Sequence, residues 1–280
     1  MVSFVLLIIC SAQQNMLEQD EVPHRMNSVI QRNILKKALR LFDWMVEASP
    51  EGVGVRETAQ ALGMAASTVH RTLALLEQEG FVQGDPAIGR YRLGLEFHRL
   101  AHRAVARFPV TVVAMPIMRR LMGHCKESVF LSLYDTSRQE MIFAASVESQ
   151  NPLRYVVELN RWVPVYAGGS GLAILAFLPE RERRQIYDRT GLTPLTERTL
   201  TDPQGMEGEL EKIRRRGYAL TFGQRNAGAV GMGAPIRESN GQVIGALVVS
   251  LPEQRFEPSA ESWLAKLLIE HAGRITEQLG

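Results

Sequence analysis

Residues 55–94 read VRETAQALGMAASTVHRTLALLEQEGFVQGDPAIGRYRLG, and the fold is decided in this stretch. Residues 55–62 have helical composition and stop at Gly63, where a left-handed C-cap position favours glycine. The pattern predicts a second helix over residues 66–79. Val69, Leu73 and Leu76 give it one buried stripe, and Gly80 ends it. Phe81-Val82-Gln83 and Arg90-Tyr91-Arg92-Leu93 are strand-like runs around a Gly/Asp/Pro turn at 84–89, which predicts a β-hairpin. Helix, glycine turn, helix, hairpin is the order of a winged helix-turn-helix. In that motif the second helix enters the major groove of duplex DNA.

The side chains fit that chemistry. The second helix opens Met64-Ala65-Ala66-Ser67-Thr68-Val69-His70-Arg71. Ala66 is small enough for close approach. Ser67 and Thr68 offer hydroxyls at a helix N-terminus, where backbone N–H groups favour phosphate. His70 and Arg71 follow one turn on, and arginine grips guanine O6 and N7 or holds a phosphate. In the hairpin, alternation puts Arg90 and Arg92 on one face and Tyr91 on the other. Both arginines are therefore expected to hold the wing along the DNA backbone or in the adjacent minor groove. Blander readings exist for each piece. Ser-Thr at a helix start also serves as a plain cap, and the arginines also suit a solvated strand face.

Outward from this stretch the chain divides further. Ile30, Ile34, Ala38, Leu41 and Met45 recur at helical spacing, with Lys36, Lys37 and Arg40 off that face. Ser49-Pro50-Glu51-Gly52 breaks that helix. Residues 95–107 are again helical, carry His98, Arg99, His102 and Arg103, and stop at Phe108-Pro109. Beyond lie predicted helices at 111–125, 171–177, 181–188, 206–216 and 259–279. Predicted strands lie at 129–134, 141–147, 230–236 and 243–250, the last two around an Asn240-Gly241 turn. The expected organisation is a disordered extension or misplaced start over 1–27, a winged helix-turn-helix over 28–94, a linker helix over 95–108, and a second domain over 109–280.

Bulk properties exclude several classes. At 280 residues the chain suits two domains. The whole-chain net charge is only +2, and residues 26–107 hold 11 Lys/Arg against 8 Asp/Glu, or +3. DNA binding must then rest on where the charges sit rather than on their sum. Cys10 and Cys125 form no disulfide framework, so a reduced, cytoplasmic setting is expected. The apolar run before Cys10 lacks a basic residue ahead of it and is far too short to span a bilayer, so no membrane partner is expected. His98 and His102 have metal-compatible spacing, but no further ligand completes a set. No metal, cofactor or catalytic residue is expected.

Tyr166-Ala167-Gly168-Gly169-Ser170-Gly171-Leu172 is a small-residue loop opening an apolar helix. Glycines let a ligand approach the backbone, and the N–H groups of a helix start favour an anion such as a carboxylate. No Lys-Ser/Thr follows, so it is not a P-loop, and Leu172 occupies the last glycine position of a nucleophile elbow. Tight packing alone would also explain the glycines. Gly169→Val is expected to plug such a pocket and spare DNA binding.

The ordered set resembles the isocitrate-lyase-regulator (IclR) family. The residues that carry the resemblance are 67–73 (STVHRTL), 76–82 (LEQEGFV), 89–94 (GRYRLG), 163–171 (VPVYAGGSG), 213–219 (IRRRGYA), 234–236 (API) and 244–250 (IGALVVS). The resemblance implies an α+β protein in which a winged helix-turn-helix joins a GAF-like effector domain through a linker helix. It implies a homodimer or dimer of dimers on double-stranded, pseudo-palindromic operator DNA, controlled by an effector, which the helix-start loop suggests is a small organic acid. It implies a pocket walled by Ala167, Gly168, Gly169, Ser170, Gly231, Val248 and Ser250. Gly231 stands where the family often has cysteine, Val248 where a hydroxyl residue is common, and Asn226 where an acid is common. Fewer polar anchors point to a larger or more apolar effector. Two other classes stay open: a DNA-binding protein whose second domain only oligomerises, and a small-molecule enzyme.

Overall fold

The computed structural model describes residues 24–105 and 109–279, with side chains for 34–105 and 110–279. The extension expected over 1–27 lies outside the described residues as far as residue 23. The chain divides into two compact units between Ala104 and Val105.

The N-terminal unit runs α1 (His24–Glu47), β1 (Val53–Gly54), α2 (Val55–Leu62), α3 (Ala66–Gln78), β2 (Val82–Asp85), β3 (Arg90–Leu93) and α4 (Leu95–Val105, whose last residue lies beyond the division). Its core is small. Leu41 and Met45 of α1 meet Val53, Val69, Leu73 and Val82, with Phe42, Leu62, Leu76 and Tyr91 packed around them. Gly63 takes the left-handed conformation (φ 62°) that ends α2, and its neighbour Met64 donates to the Ala59 carbonyl at 2.9 Å. The hairpin pairs Val82 with Leu93 and Asp85 with Arg90. It gains a third strand that the pattern did not reveal, since β1 pairs Val53 with Tyr91 and Gly54 with Arg90. Glu77 of α3 accepts from the Gly84 amide at 2.8 Å, which ties the hairpin to α3.

The C-terminal unit runs α5 (Pro109–Cys125), β4 (Ser128–Asp135), β5 (Glu140–Val147), β6 (Val163–Pro164), α6 (Gly168–Leu175), α7 (Glu180–Thr190), α8 (Pro203–Arg216), β7 (Ala219–Phe222), β8 (Ala229–Arg237), β9 (Val243–Pro252) and α9 (Glu261–Leu279). One six-stranded sheet carries them, in the order β6-β5-β4-β9-β8-β7 with every pairing antiparallel. This is the α+β, GAF-like arrangement expected. Strand alternation sorts the two faces. Val129, Leu131, Val230, Met232, Leu247 and Val249 pack under α5 and α9. Phe130, Ala246 and Val248 pack toward α6, α7 and α8. In β5 the alternation is reset. Leu131 pairs with Ala145 but Ser132 pairs with Phe143, so Ala144 is the extra residue of a bulge. Met141 and Phe143 therefore face the α6 side, whereas Ala145 faces α5 and α9.

The α6 face of β8 is built from glycine, and this positions the pocket. A Cβ on Gly233 would lie 2.2 Å from the Gly169 carbonyl oxygen, and one on Gly169 would lie 2.6 Å from the Gly231 carbonyl. Backbone thus rests on backbone where α6 begins. Gly233→Ala should lower the stability of the C-terminal unit by about 1–3 kcal/mol, the usual effect of overfilling a packed site. Chemical denaturation of the full chain measures this, and an unchanged midpoint would contradict the packing described.

Candidate DNA-reading surface and effector pocket

The two sides of α3 have different fates. Val69, Thr72 and Leu73 are buried, whereas Ala66, Ser67, His70 and Arg71 are exposed and Thr68 is half-buried. The Thr72 hydroxyl donates to the Thr68 carbonyl at 2.8 Å, satisfying the polar group on the buried side. Ser67 and Thr68 are not caps. The cap position is Ala65, which has no side-chain hydrogen bond to offer. The start of α3 therefore keeps its outward N–H groups free of a side-chain cap.

Sequence reasoning passed over a group beside that helix start. Lys36, Lys37 and Arg40 of α1 line a cleft of about 400 Å³ together with Gly63, Met64, Ala65 and Thr68. Arg40 donates to the Leu62 carbonyl at 2.7 Å, which braces α1 against the end of α2. The signal was present as three basic residues off the apolar face of α1, but only the fold brings them to α3.

The wing differs from expectation at one of its two arginines. Arg92 is exposed. Arg90 is turned onto its own unit: it donates to the Gly52 carbonyl through Nε at 3.0 Å and Nη2 at 2.6 Å, and pairs with Glu57 at 3.1 Å. Glu57 also accepts from the Gly54 amide at the start of α2. Pairing with β1 explains the difference, because it sets Arg90 opposite Gly54 and within reach of Gly52.

In the C-terminal unit a pocket opens where α6 meets the sheet. Its walls include Gly168, Gly169 and Ser170 from α6, Gly231 from β8, and Val248 and Ser250 from β9. Ala167 is not a wall: it is buried in the core, and its carbonyl accepts from Arg225 at 2.8 Å. Gly231 and Ser250 are directly paired, as are Phe130 and Val248, so the wall residues are register neighbours. Phe130 and Phe143 add an edge-to-face aromatic wall with centroids 5.9 Å apart. Tyr155, Val157, Thr221, Gln224 and Arg225 also line it and escaped the sequence reading, because they come from loops and from strands without an isolated motif. The water-accessible volume is about 50 Å³. An apolar cavity that takes up benzene measures roughly 150 Å³. The space thus suits an acid of a few heavy atoms as it stands, and an aromatic one only if walls give way. This narrows the larger effector expected from the missing polar anchors.

Two further expectations change. Gly169→Val is not a clean plug, because its side chain would strike the Gly231 backbone and disturb the unit itself. Gly168 is needed for conformation as well, at φ +77°. Elsewhere, burial pushes the Cys125 thiol up to about 11, which leaves it a poor nucleophile at neutral pH. His98 and His102 stack at 6.3 Å, and among the described residues no group of three metal-type side chains converges. No helix among them is long and apolar enough to cross a membrane.

A winged helix-turn-helix in one unit and a pocketed antiparallel sheet in the other are the architecture of a DNA-binding regulator. The model of the IclR helix-turn-helix domain matches residues 35–86, and that of the bacterial transcriptional regulator IclR C-terminal domain matches residues 102–277. The chain belongs to the IclR family of transcription regulators. It is 34% identical over 232 residues to an HTH-type transcriptional regulator of Mycobacterium tuberculosis, covering 82% of this chain and 86% of that one. The crystal structure of the Thermotoga maritima IclR is 30% identical, with a TM-score of 0.70 over 89% of this chain and 99% of that one. An IclR homologue from Microbacterium hydrocarbonoxydans, crystallised in complex with 4-hydroxybenzoate, is 25% identical with a TM-score of 0.75 over 88% and 98%.

Arg90→Ala should cost the N-terminal unit about 1 kcal/mol, the scale of one lost charged hydrogen-bond group at a partly exposed site. Arg92→Ala should leave stability unchanged. Thermal unfolding of the two variants distinguishes them; equal effects would show that Arg90 does not brace the wing.

Proposed function

We propose that the chain binds pseudo-palindromic operator DNA as a homodimer or a dimer of dimers, in the cytoplasm, and that a small organic acid held in the C-terminal pocket sets its operator affinity. The observation that carries the first half is the division of α3 into a core side and an exposed side bearing Ala66, Ser67, His70 and Arg71. In this reading Ser67, His70 and Arg71 meet base edges and Thr68 meets the backbone. Lys36, Lys37 and Arg40 hold phosphate beside the helix start, and Arg92 holds it beside the wing. Arg90 acts indirectly, by bracing the hairpin that carries Arg92.

Two α3 helices in a symmetric pair would read half-sites one helical turn apart, roughly 34 Å. The ligand reading is supported by the pocket's mixture of apolar walls and helix N–H groups. The 4-hydroxybenzoate bound to a relative supports a small-molecule ligand for this chain. Ligand and operator would be coupled through α4, the helix that leads from one unit toward the other. To move operator occupancy strongly, the ligand must prefer one DNA-binding state by a few kcal/mol.

Fluorescence anisotropy with the chain's own upstream DNA tests this. Arg71→Ala should cost roughly 1–3 kcal/mol of operator affinity. Arg92→Ala should weaken all sequences alike and lower the salt slope by about one. Unchanged operator binding by a folded Arg71→Ala chain would remove the base-reading assignment. Organic acids that bind the chain yet leave operator affinity unmoved would favour the reading in which the second domain only oligomerises.

A further inference from the structure

The effector pocket contains a cation that no described acidic side chain balances. Arg225 stands in the connection between β7 and β8 and lines the pocket. Its Nη2 donates to the carbonyls of Pro164 and Ala167, the second at 2.8 Å. Its Nε is buried and has no hydrogen-bond partner among the described residues. None of the ion pairs among those residues includes it. Burial holds its pKa down to about 10, with Tyr166 acting in the opposite direction, so it stays cationic at neutral pH. A desolvated guanidinium without a counter-charge is costly, and proteins seldom keep one without a use.

A second positive feature meets it. Ala167 gives the start of α6 no side-chain cap, and the Gly168 amide has only a long 3.4 Å bond to the Gln224 side chain, so the positive end of the helix dipole lies at the same wall. Gly168 lies directly against the arginine: a Cβ there would be 3.2 Å from Arg225 Cβ and 3.3 Å from its Nε. The guanidinium therefore rests on the first residue of the helix. Around these groups the remaining walls are largely apolar, with Phe130, Phe143, Val157 and Val248 among them.

We propose that Arg225 is the specificity-determining residue of this pocket, admitting an effector only when it carries a carboxylate or similar anion that pairs with the guanidinium and caps the first turn of α6. The proposal rests on the reading of this pocket as the effector site. The two carbonyl bonds orient the guanidinium fork. A structural tie between those carbonyls would need donors but no charge, and that difference makes the two roles separable.

Calorimetry and thermal shift on the full-length chain, using matched acid and amide probes, test it. The pairs are pyruvate with pyruvamide and 4-hydroxybenzoate with 4-hydroxybenzamide, and inorganic phosphate is added as a bare anion. The wild-type chain should bind at least one of the acids, and its amide at least tenfold more weakly. Arg225→Gln, checked for folding by circular dichroism, should lose at least tenfold in acid affinity while amide affinity stays put. Arg225→Lys should keep the preference for the acid, and it carries the test if Arg225→Gln does not fold. A merely structural arginine would depress acid and amide together. Equal binding of acid and amide by the wild type, unchanged acid affinity in Arg225→Gln, or no binding of any anion in the set would each overturn the proposal. Ser250→Phe, which fills the pocket from β9, separates the two levels. Acid binding that survives it overturns the pocket as the site. Acid binding lost there but kept in Arg225→Gln overturns only the role of Arg225.

Discussion

The structure depends on one constraint, that α3 is held by one side only. Val69, Thr72 and Leu73 fix it to a core of few residues, and the opposite side is left to solvent. A helix buried all round could not enter a groove, and one with no apolar stripe would not hold its position. The Thr72–Thr68 hydrogen bond, the Gly63 turn and the Glu77–Gly84 bond are the local devices that set its angle and attach the wing. Arg90 serves the same end from the hairpin side.

The C-terminal unit solves a different problem, which is to rest backbone on backbone at the wall of a pocket. Glycines at 169, 231 and 233 let the start of α6 rest on β8 at a distance that no Cβ would allow. The pocket is the space that remains beside this contact. Its residues cannot be enlarged freely, because the same glycines that line it also hold the unit together.

Much of this was legible beforehand. The bounds of α2 follow directly from the stretch ending at Gly63, α3 from its stripe and Gly80, and the hairpin from its turn residues. The short strands were not. Val53-Gly54 and Val163-Pro164 are two residues each, too short for any period to show. α6 begins three residues before the expected start at 171, since Gly168 and Gly169 weaken local helix propensity and only tertiary packing enforces the helix. The bulge at Ala144 is invisible to alternation, which would have put Phe143 and Ala145 on one face. Among site residues, Ser67, His70 and Arg71 lie where the helical period puts them. The turn of Arg90 onto its own unit depends on a partner strand that no pattern shows, and Arg225 and Lys36 gain their meaning only from long-range contacts.

The central claim is that α3 enters the major groove, and tethered cleavage tests it most directly. A single thiol at Ser67 (S67C, with C10S and C125S) would carry an iron chelate that cuts DNA within its reach. The account predicts two clusters of cuts in the operator, each in a major groove and about one helical turn apart. Cuts spread evenly along the DNA, or none from a chain that still binds it, would contradict the account.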